Sequence, residues 1–336
     1  MRIRGRVRVR KERGKLARVL PRVMTMRHDF RLGPNGLSFS DTFTYAWARP
    51  SIPDAHVLAK TLLNTVEVGY PLVRRQAYSV RGSVGMDYVN QDVRLNHTTD
   101  LSRDRLRVGF MRLGFDTQKT DFDNAGYSQA EPPWRANAIL ELRQGMHIFG
   151  ATDCGAGFAD CKGDNIPPSR LEGRSDATVL RYTMYGEARP VPKLTLALGI
   201  RAQYAWKPLL SFEEFSAGNY TAGRGYDPGA LLGDRGFGSQ AEIRYGSKIP
   251  ASARQPGIEG YAFWDHAMVR NLDRLTEVEG SEHLNSVGGG ARVNFDRFAL
   301  DASVAVPLTR IGIDDKKPDP RFLISLTTRL WPWSYR

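Results

Sequence analysis

The chain has 336 residues, of which 25% are charged and 41% hydrophobic, and no run approaches eighteen uncharged apolar residues. That balance excludes a polytopic helical membrane protein, while 6 Trp, 13 Tyr and 15 Phe exclude wholesale disorder. The formal charge of +12 would suit a nucleic-acid binder, but most of it sits at one end, so it names no such partner.

Residues 1–22 hold ten Arg or Lys against Glu12, a net of +9, which leaves +3 for the other 314 residues. This stretch has no aromatic residue and no helical patterning. It reads as a basic, disordered leader: a solvated tail or the product of a mis-assigned start codon, with a tether to an anionic surface as the alternative. It is not a secretory signal, because no apolar stretch of 7–15 residues and no small-residue cleavage site follow it.

From residue 23 onward the dominant signal has period two, which predicts β-strands with one apolar and one polar face. In chain order the alternation predicts strands near 24–32, 36–47, 57–70, 77–90, 103–115, 135–149, 176–189, 193–206, 209–218, 236–246, 257–269, 285–295, 297–307 and 321–331. The clearest is 194–206. Leu194, Leu196, Leu198, Ile200, Ala202, Tyr204 and Trp206 take one parity, with Thr195, Arg201, Gln203 and Lys207 on the other. Thirteen residues exceed the 9–11 that cross a membrane as a strand. Tyr and Trp at the end of the apolar row suit a bilayer boundary.

Tight turns at 33–36, 189–192 and 296–297 alternate with longer polar stretches at 91–104, 116–134, 150–175 and 271–283. Strands with an apolar row for lipid and a polar row for a wet lumen, joined in that way, predict an all-β fold: a transmembrane antiparallel β-barrel over 23–336. A soluble β-sandwich is the alternative, with shorter strands and a broader core face.

Within the loop at 150–175, Cys154 and Cys161 predict a disulfide in an oxidising compartment. A metal pair is the other reading, though no second Cys pair or nearby His completes four ligands. The six His are scattered, and no Gly-x-Ser-x-Gly elbow, phosphate loop or His-Glu-x-x-His is present. His266 beside Asp265 cannot form a dyad, because neighbours in a strand point to opposite faces. The sequence therefore predicts no enzyme, no cofactor and no metal, with a barrel hydrolase as the weakest alternative.

Residues 215–246 depart from alternation: a predicted strand runs into a Gly-rich excursion with Arg224 and Tyr226 in its middle. Arg224 is either a solvated residue on a surface loop or, in a loop folded back into the barrel, the partner of a lumenal carboxylate.

Here the sequence resembles the two-partner-secretion transporters, the haemolysin secretion/activation proteins, within the outer-membrane superfamily that also contains the barrel-assembly insertase. Gly223-Arg224-Gly225-Tyr226 is similar to the superfamily's Val-Arg-Gly-Tyr/Phe loop tip, departing at its first position. Gly233-Asp234-x-Gly236 with Glu242 matches the secretion branch, and Phe263-x-Asp265 matches the strand that faces the loop, with Ala267 where Gly is usual. Tyr70-Pro71-Leu72-Val73-Arg74 is similar to that branch's Tyr-Pro-Leu-x-Arg.

The resemblance implies a sixteen-stranded barrel, of which about fourteen strands are readable, with an Arg224–Asp265 ion pair latching an inward-folded loop. Gly225, Tyr226 and Asp234 would belong to that latch. It also implies an outer-membrane location and a secreted, unfolded exoprotein as passenger, in a monomer set in outer-membrane lipid. A signal peptide, a plug helix and two POTRA domains would precede such a barrel. None is readable, so the sequence reads as an N-terminally truncated member. An assembly insertase of the same superfamily is the alternative function.

Overall fold

Thirteen of the fourteen alternating runs form long strands of one antiparallel sheet in the computed structural model. It describes residues 22–48, 51–52, 55–95, 99–120, 126–153, 166–219, 222–250, 252, 255–273, 280–312 and 317–328. The leader up to residue 21 and both cysteines lie outside the described residues.

The strands are β1 (Arg22–Leu32), β2 (Leu37–Ala48), β3 (Ser51–Ile52), β4 (Ala55–Arg74), β5 (Tyr78–Leu95), β6 (Thr99–Gln118), β7 (Trp134–Gly145), β8 (Thr178–Val191) and β9 (Leu194–Ala205). After a 3₁₀ turn at Ser211–Glu213 come β10 (Phe215–Ala217), β11 (Leu231–Gly233), β12 (Arg235–Ser247), β13 (Gly257–Arg270), β14 (Ser281–Phe295), β15 (Phe298–Pro307) and β16 (Arg321–Thr328).

Each long strand pairs with its neighbours in the chain, in the order β1-β2-β4-β5-β6-β7-β8-β9-β12-β13-β14-β15-β16. The two-residue β3 pairs with the start of β4, and β10 pairs with β11 apart from the main sheet.

The alternation has the orientation that lipid demands. Leu196, Leu198, Tyr204 and Trp206 are exposed, while Ala197 and Gln203 between them are buried. β13 repeats this residue by residue: Ile258, Trp264 and Met268 face outward, and Glu259, Tyr261, Phe263 and Asp265 face inward. A soluble sheet would bury the Leu and Trp row and wet the charges. Here the apolar rows are outside and the charges inside, which is stable only where hydrocarbon surrounds the wall.

Short connections at 33–36, 75–77, 192–193 and 296–297 gather at one end, and those at 146–177, 206–234, 271–280 and 308–320 at the other. Three details differ from the sequence expectation. The stretch 91–104 is mostly not a loop, because β5 and β6 continue through it to Leu95 and from Thr99. With β4 they are 20, 18 and 20 residues long, far beyond what crossing requires. The connection 119–133 is long but lies at the tight-turn end.

The third difference places the site. The run 209–218 is not a strand of the wall, since β9 pairs directly with β12 from Leu194↔Tyr245 to Gln203↔Gly236. Leu209 and Phe215 share a parity as residues of one strand would, yet Leu209, Leu210 and Phe215 are all buried, packed inside the barrel and away from its wall pairing. Eight long strands therefore precede the loop, and the expected five follow it.

Candidate functional site

The connection 206–234 turns back into the lumen and is held at three places. Its tip lies against β12–β15. Arg224 is buried and sends its Nε (2.9 Å) and Nη2 (2.7 Å) to the two carboxylate oxygens of Asp265. The Arg224 backbone N–H adds a third bond to Asp265 at 2.9 Å.

The Arg224 Nη1 reaches Glu242 of β12 at 2.5 Å, and its guanidinium lies 3.6 Å from the centre of the Phe263 ring. Asp265 is 0% exposed and receives one further, long bond from Ser286. A bidentate pair under an aromatic face combines charge-assisted hydrogen bonds with a cation–π contact. Burial by itself would lower the Arg224 pKa, but Asp265 and Glu242 outweigh it and raise the value, so the guanidinium stays charged.

The neighbours of the tip explain its composition. A Cβ on Gly225 would lie 2.8 Å from the Pro307 nitrogen, so only glycine lets the backbone come this close to β15. The Tyr226 hydroxyl donates to the Asn285 carbonyl (2.8 Å), lies 2.9 Å from the Thr309 carbonyl and accepts from the Thr309 N–H at 2.8 Å. Phe215, Ala217, Ala222, Tyr226 and Leu231 pack with Ala267, Val269 and Leu284 of the wall into one buried apolar cluster. Gly236 makes room for it, since a Cβ there would meet the Phe215 ring at 2.2 Å.

Asp234 sits elsewhere, at the neck where the loop leaves the barrel rim. It accepts from the Leu209 N–H (2.7 Å) and the Leu272 N–H (2.6 Å) and pairs with Arg170 of the connection between β7 and β8. Arg170 also reaches Glu214 at 3.1 Å and Asp273 at 2.7 Å. Burial first, then Asp234 and Asp273, push the Glu214 carboxyl up, which outweighs Arg170. The five residues predicted as one latch therefore divide: Arg224, Gly225, Tyr226 and Asp265 come together at the tip, and Asp234 clamps the neck.

The third attachment has no sequence motif. Glu213, at the base of the loop, accepts from Arg143 of β7 (Nε 3.0 Å, Nη2 2.7 Å) and from Arg181 of β8 (2.9 Å). The Gln203 side chain of β9 donates to the Glu213 carbonyl at 2.9 Å. Next to it Leu210 inserts among Val89, Leu106 and Val108 of β5 and β6. Burial would push the Glu213 carboxyl up, but Arg181 and Arg143 outweigh it and hold it below the usual carboxylate range.

Ionic contacts continue beneath the tip. Glu242 also accepts from Arg244 (2.6 Å) and Arg292 (3.3 Å), and Arg244 reaches Glu187 of β8 at 2.8 Å. Glu242 was visible as part of a motif, but its place at the junction of three arginines was not. His266 contacts Asn285 and shares no face with Asp265, so the two form no dyad. The arrangement positions a loop by paired charges.

Residues 66–293 match the family described as haemolysin secretion/activation protein ShlB/FhaC/HecB. No curated protein matches the sequence. The fold is similar to CdiB from Escherichia coli (TM-score 0.74, 12% identity, 92% of this chain and 53% of that one). It is also similar to CdiB from Acinetobacter baumannii (0.63, 18%, 92% and 50%). A third likeness is to BamA from Haemophilus ducreyi lacking POTRA domains 1–3 (0.59, 13%, 92% and 62%). The chain spans about half the length of the CdiB structures it matches.

Proposed function

This chain belongs to the haemolysin secretion/activation protein family of outer-membrane β-barrels, and from that membership we propose a two-partner-secretion translocator. Its passenger is a haemolysin- or adhesin-like exoprotein that crosses unfolded through the barrel over residues 23–336. The translocator works as a monomer in outer-membrane lipid, and the family is one of transporters, not enzymes.

The observation that carries the reading is the inward loop fastened by Arg224 to Asp265 and Glu242, since both partners and the loop fall inside the matched span. Arg224 and Asp265 are proposed as the latch, with Gly225 and Tyr226 seating the tip and Asp234 closing the neck. Translocation draws on no bound cofactor. Its direction follows if the passenger folds outside and cannot return.

The test is co-expression of the chain with a haemolysin-like exoprotein and assay of the medium for folded product. Secretion that depends on the chain supports the reading. A pore-forming chain that never exports such a passenger counts against it. Insertion of other barrels is the second reading, favoured by the likeness to BamA. It predicts rescue of barrel assembly in cells depleted of their own insertase.

A further inference from the structure

We infer that the base of the loop, held by Glu213, is the part that opens, and that it closes one end of a polar passage along β1–β7 while the tip stays docked as the pivot. The inference rests on the proposed translocator reading, because it names the residues through which that pore would be gated.

Among the described residues, two connected polar cavities lie on the β1–β7 side, and a separate one of about 420 Å³ lies beside the tip between Gly225, Asp227 and the connection from β15 to β16. A polar groove of about 350 Å³ runs along the inner face of β1–β7, lined by Asp29, Ser40, Glu67, Arg81, Arg112 and Asn137. A second cavity of about 460 Å³ shares Asp116 and Asn137 with it and extends to Arg75 and Tyr78 beside the tight turn between β4 and β5. Ion pairs lead from the groove to the base of the loop. Arg112 joins Glu67 (2.9 Å) to Glu141 (2.5 Å), Glu141 joins Arg143 (3.1 Å), and Arg143 joins Glu213. Glu213 therefore sits where the groove ends, near the rim that carries the long loops. The opposite wall is occupied by the packed tip.

The two attachments differ in what release leaves behind. If Glu213 moves away, Arg143 keeps Asp87 (2.8 Å) and Glu141, and Arg181 keeps Gln203 (2.8 Å) and Glu141 at 3.9 Å. Arg201 faces the same space and rests against the Phe215 ring, 5.4 Å from its centre. No wall arginine that binds Glu213 is stranded, and Glu213 itself moves toward a wet groove. If Arg224 moves away, Asp265 loses the one cation that pairs with it among the described residues and keeps one long bond from Ser286. Breaking a buried pair from one side is the costly case. The apolar contacts at the base are split, with Leu210 against Val89, Leu106 and Val108 and Leu209 against Ala177, Val179 and Ala205, whereas the tip sits in one continuous cluster of eight buried residues. The passage so opened is lined by both signs of charge, which suits an extended polypeptide with solvated backbone groups.

The test is ion conductance of the purified full chain in planar bilayers of potassium chloride solution, with heat-modifiability on gels as the check that the barrel is folded. Glu213→Gln is expected to raise the open-time fraction about fivefold, and Glu213→Asp, which keeps the charge, to return it most of the way to the parent. Adding Gly114→Trp, a bulky ring on the groove wall, is expected to cut the open conductance of the Glu213→Gln chain severalfold. Parent-like gating in Glu213→Gln, or an open Glu213→Gln pore indifferent to Gly114→Trp, overturns the inference. Should Glu213→Gln fail to fold, Glu213→Asp decides: a partial rise in opening supports the gate, and none overturns it. The outcomes separate from those of the translocator reading. Opening by Arg224→Ala alone refutes the gate and keeps the latch, whereas a Glu213-gated pore that exports no passenger keeps the gate and refutes the translocator.

Discussion

The tip and the base of one loop are held by the same chemistry, arginine on carboxylate, yet they are built for different duties. At the tip, both carboxylate oxygens of Asp265 are committed to Arg224 or Ser286, and the carboxylate has no exposure. At the base, Glu213 joins a wall whose arginines already have carboxylate partners. A buried ion pair is strong evidence of a permanent contact when its loss strands a charge. When the surroundings can close over the gap, the same distances describe a contact that can exchange.

The largest stability effect tests the tip. Asp265→Ala leaves Arg224 facing only Glu242 and removes the acceptor of its N–H, and should cost about 3–5 kcal/mol, read from the unfolding midpoint in urea with detergent. In a double-mutant cycle, Arg224→Ala and Asp265→Ala should be non-additive by about 1–3 kcal/mol. Additive losses would break the tip half of the comparison.

Next comes the neck. Arg170→Met takes the cation from Asp234, Glu214 and Asp273 together and should cost about 1.5–3 kcal/mol. It should also expose the loop to protease at the rim. Tyr226→Phe removes one hydroxyl shared by Asn285 and Thr309 and should cost about 1 kcal/mol, with the pore still closed.

The smallest loss of stability is expected for Glu213→Gln, at most about 1 kcal/mol, in contrast to its effect on conductance. A cost as large as that of Asp265→Ala would erase the distinction between pivot and gate.

Acid sharpens the same contrast. Glu213 is held below its ordinary value, so its stabilisation is full above the unfolded-state pKa of about 4.3 and is lost as pH falls through the lower folded value. Arg143, Arg181, Asp87, Glu141 and Gln203 face it from β5, β7, β8 and β9. Glu214 is raised, so its charge works against the fold and protonation relieves the neck. Acidification should therefore loosen the base and not the neck. Open time in bilayers should rise toward low pH in the parent chain and change less in Glu213→Gln.

Much of the wall was legible because lipid and water impose opposite demands on alternate residues of each strand. β13 shows this best, with parity alone assigning Asp265 and Glu259 to the inside and Trp264 to the outside. The tip was legible through a motif, Gly223 to Tyr226, and its facing Phe263-x-Asp265. The base was not. Glu213 lies in a stretch that reads as a strand, and its partners Arg143 and Arg181 are 70 and 32 residues away. Asp234 carried a motif but no clue that Arg170 would be its cation.

Alternation along single segments thus determined an antiparallel membrane wall and which row of side chains faces its lumen, because a strand's two faces follow from residue parity. Which lumenal charges meet was decided only when the sheet curved and the loop turned inward. Those partners belong to strands far apart in the chain, and only the curvature of the wall and the path of the loop bring them within hydrogen-bonding distance.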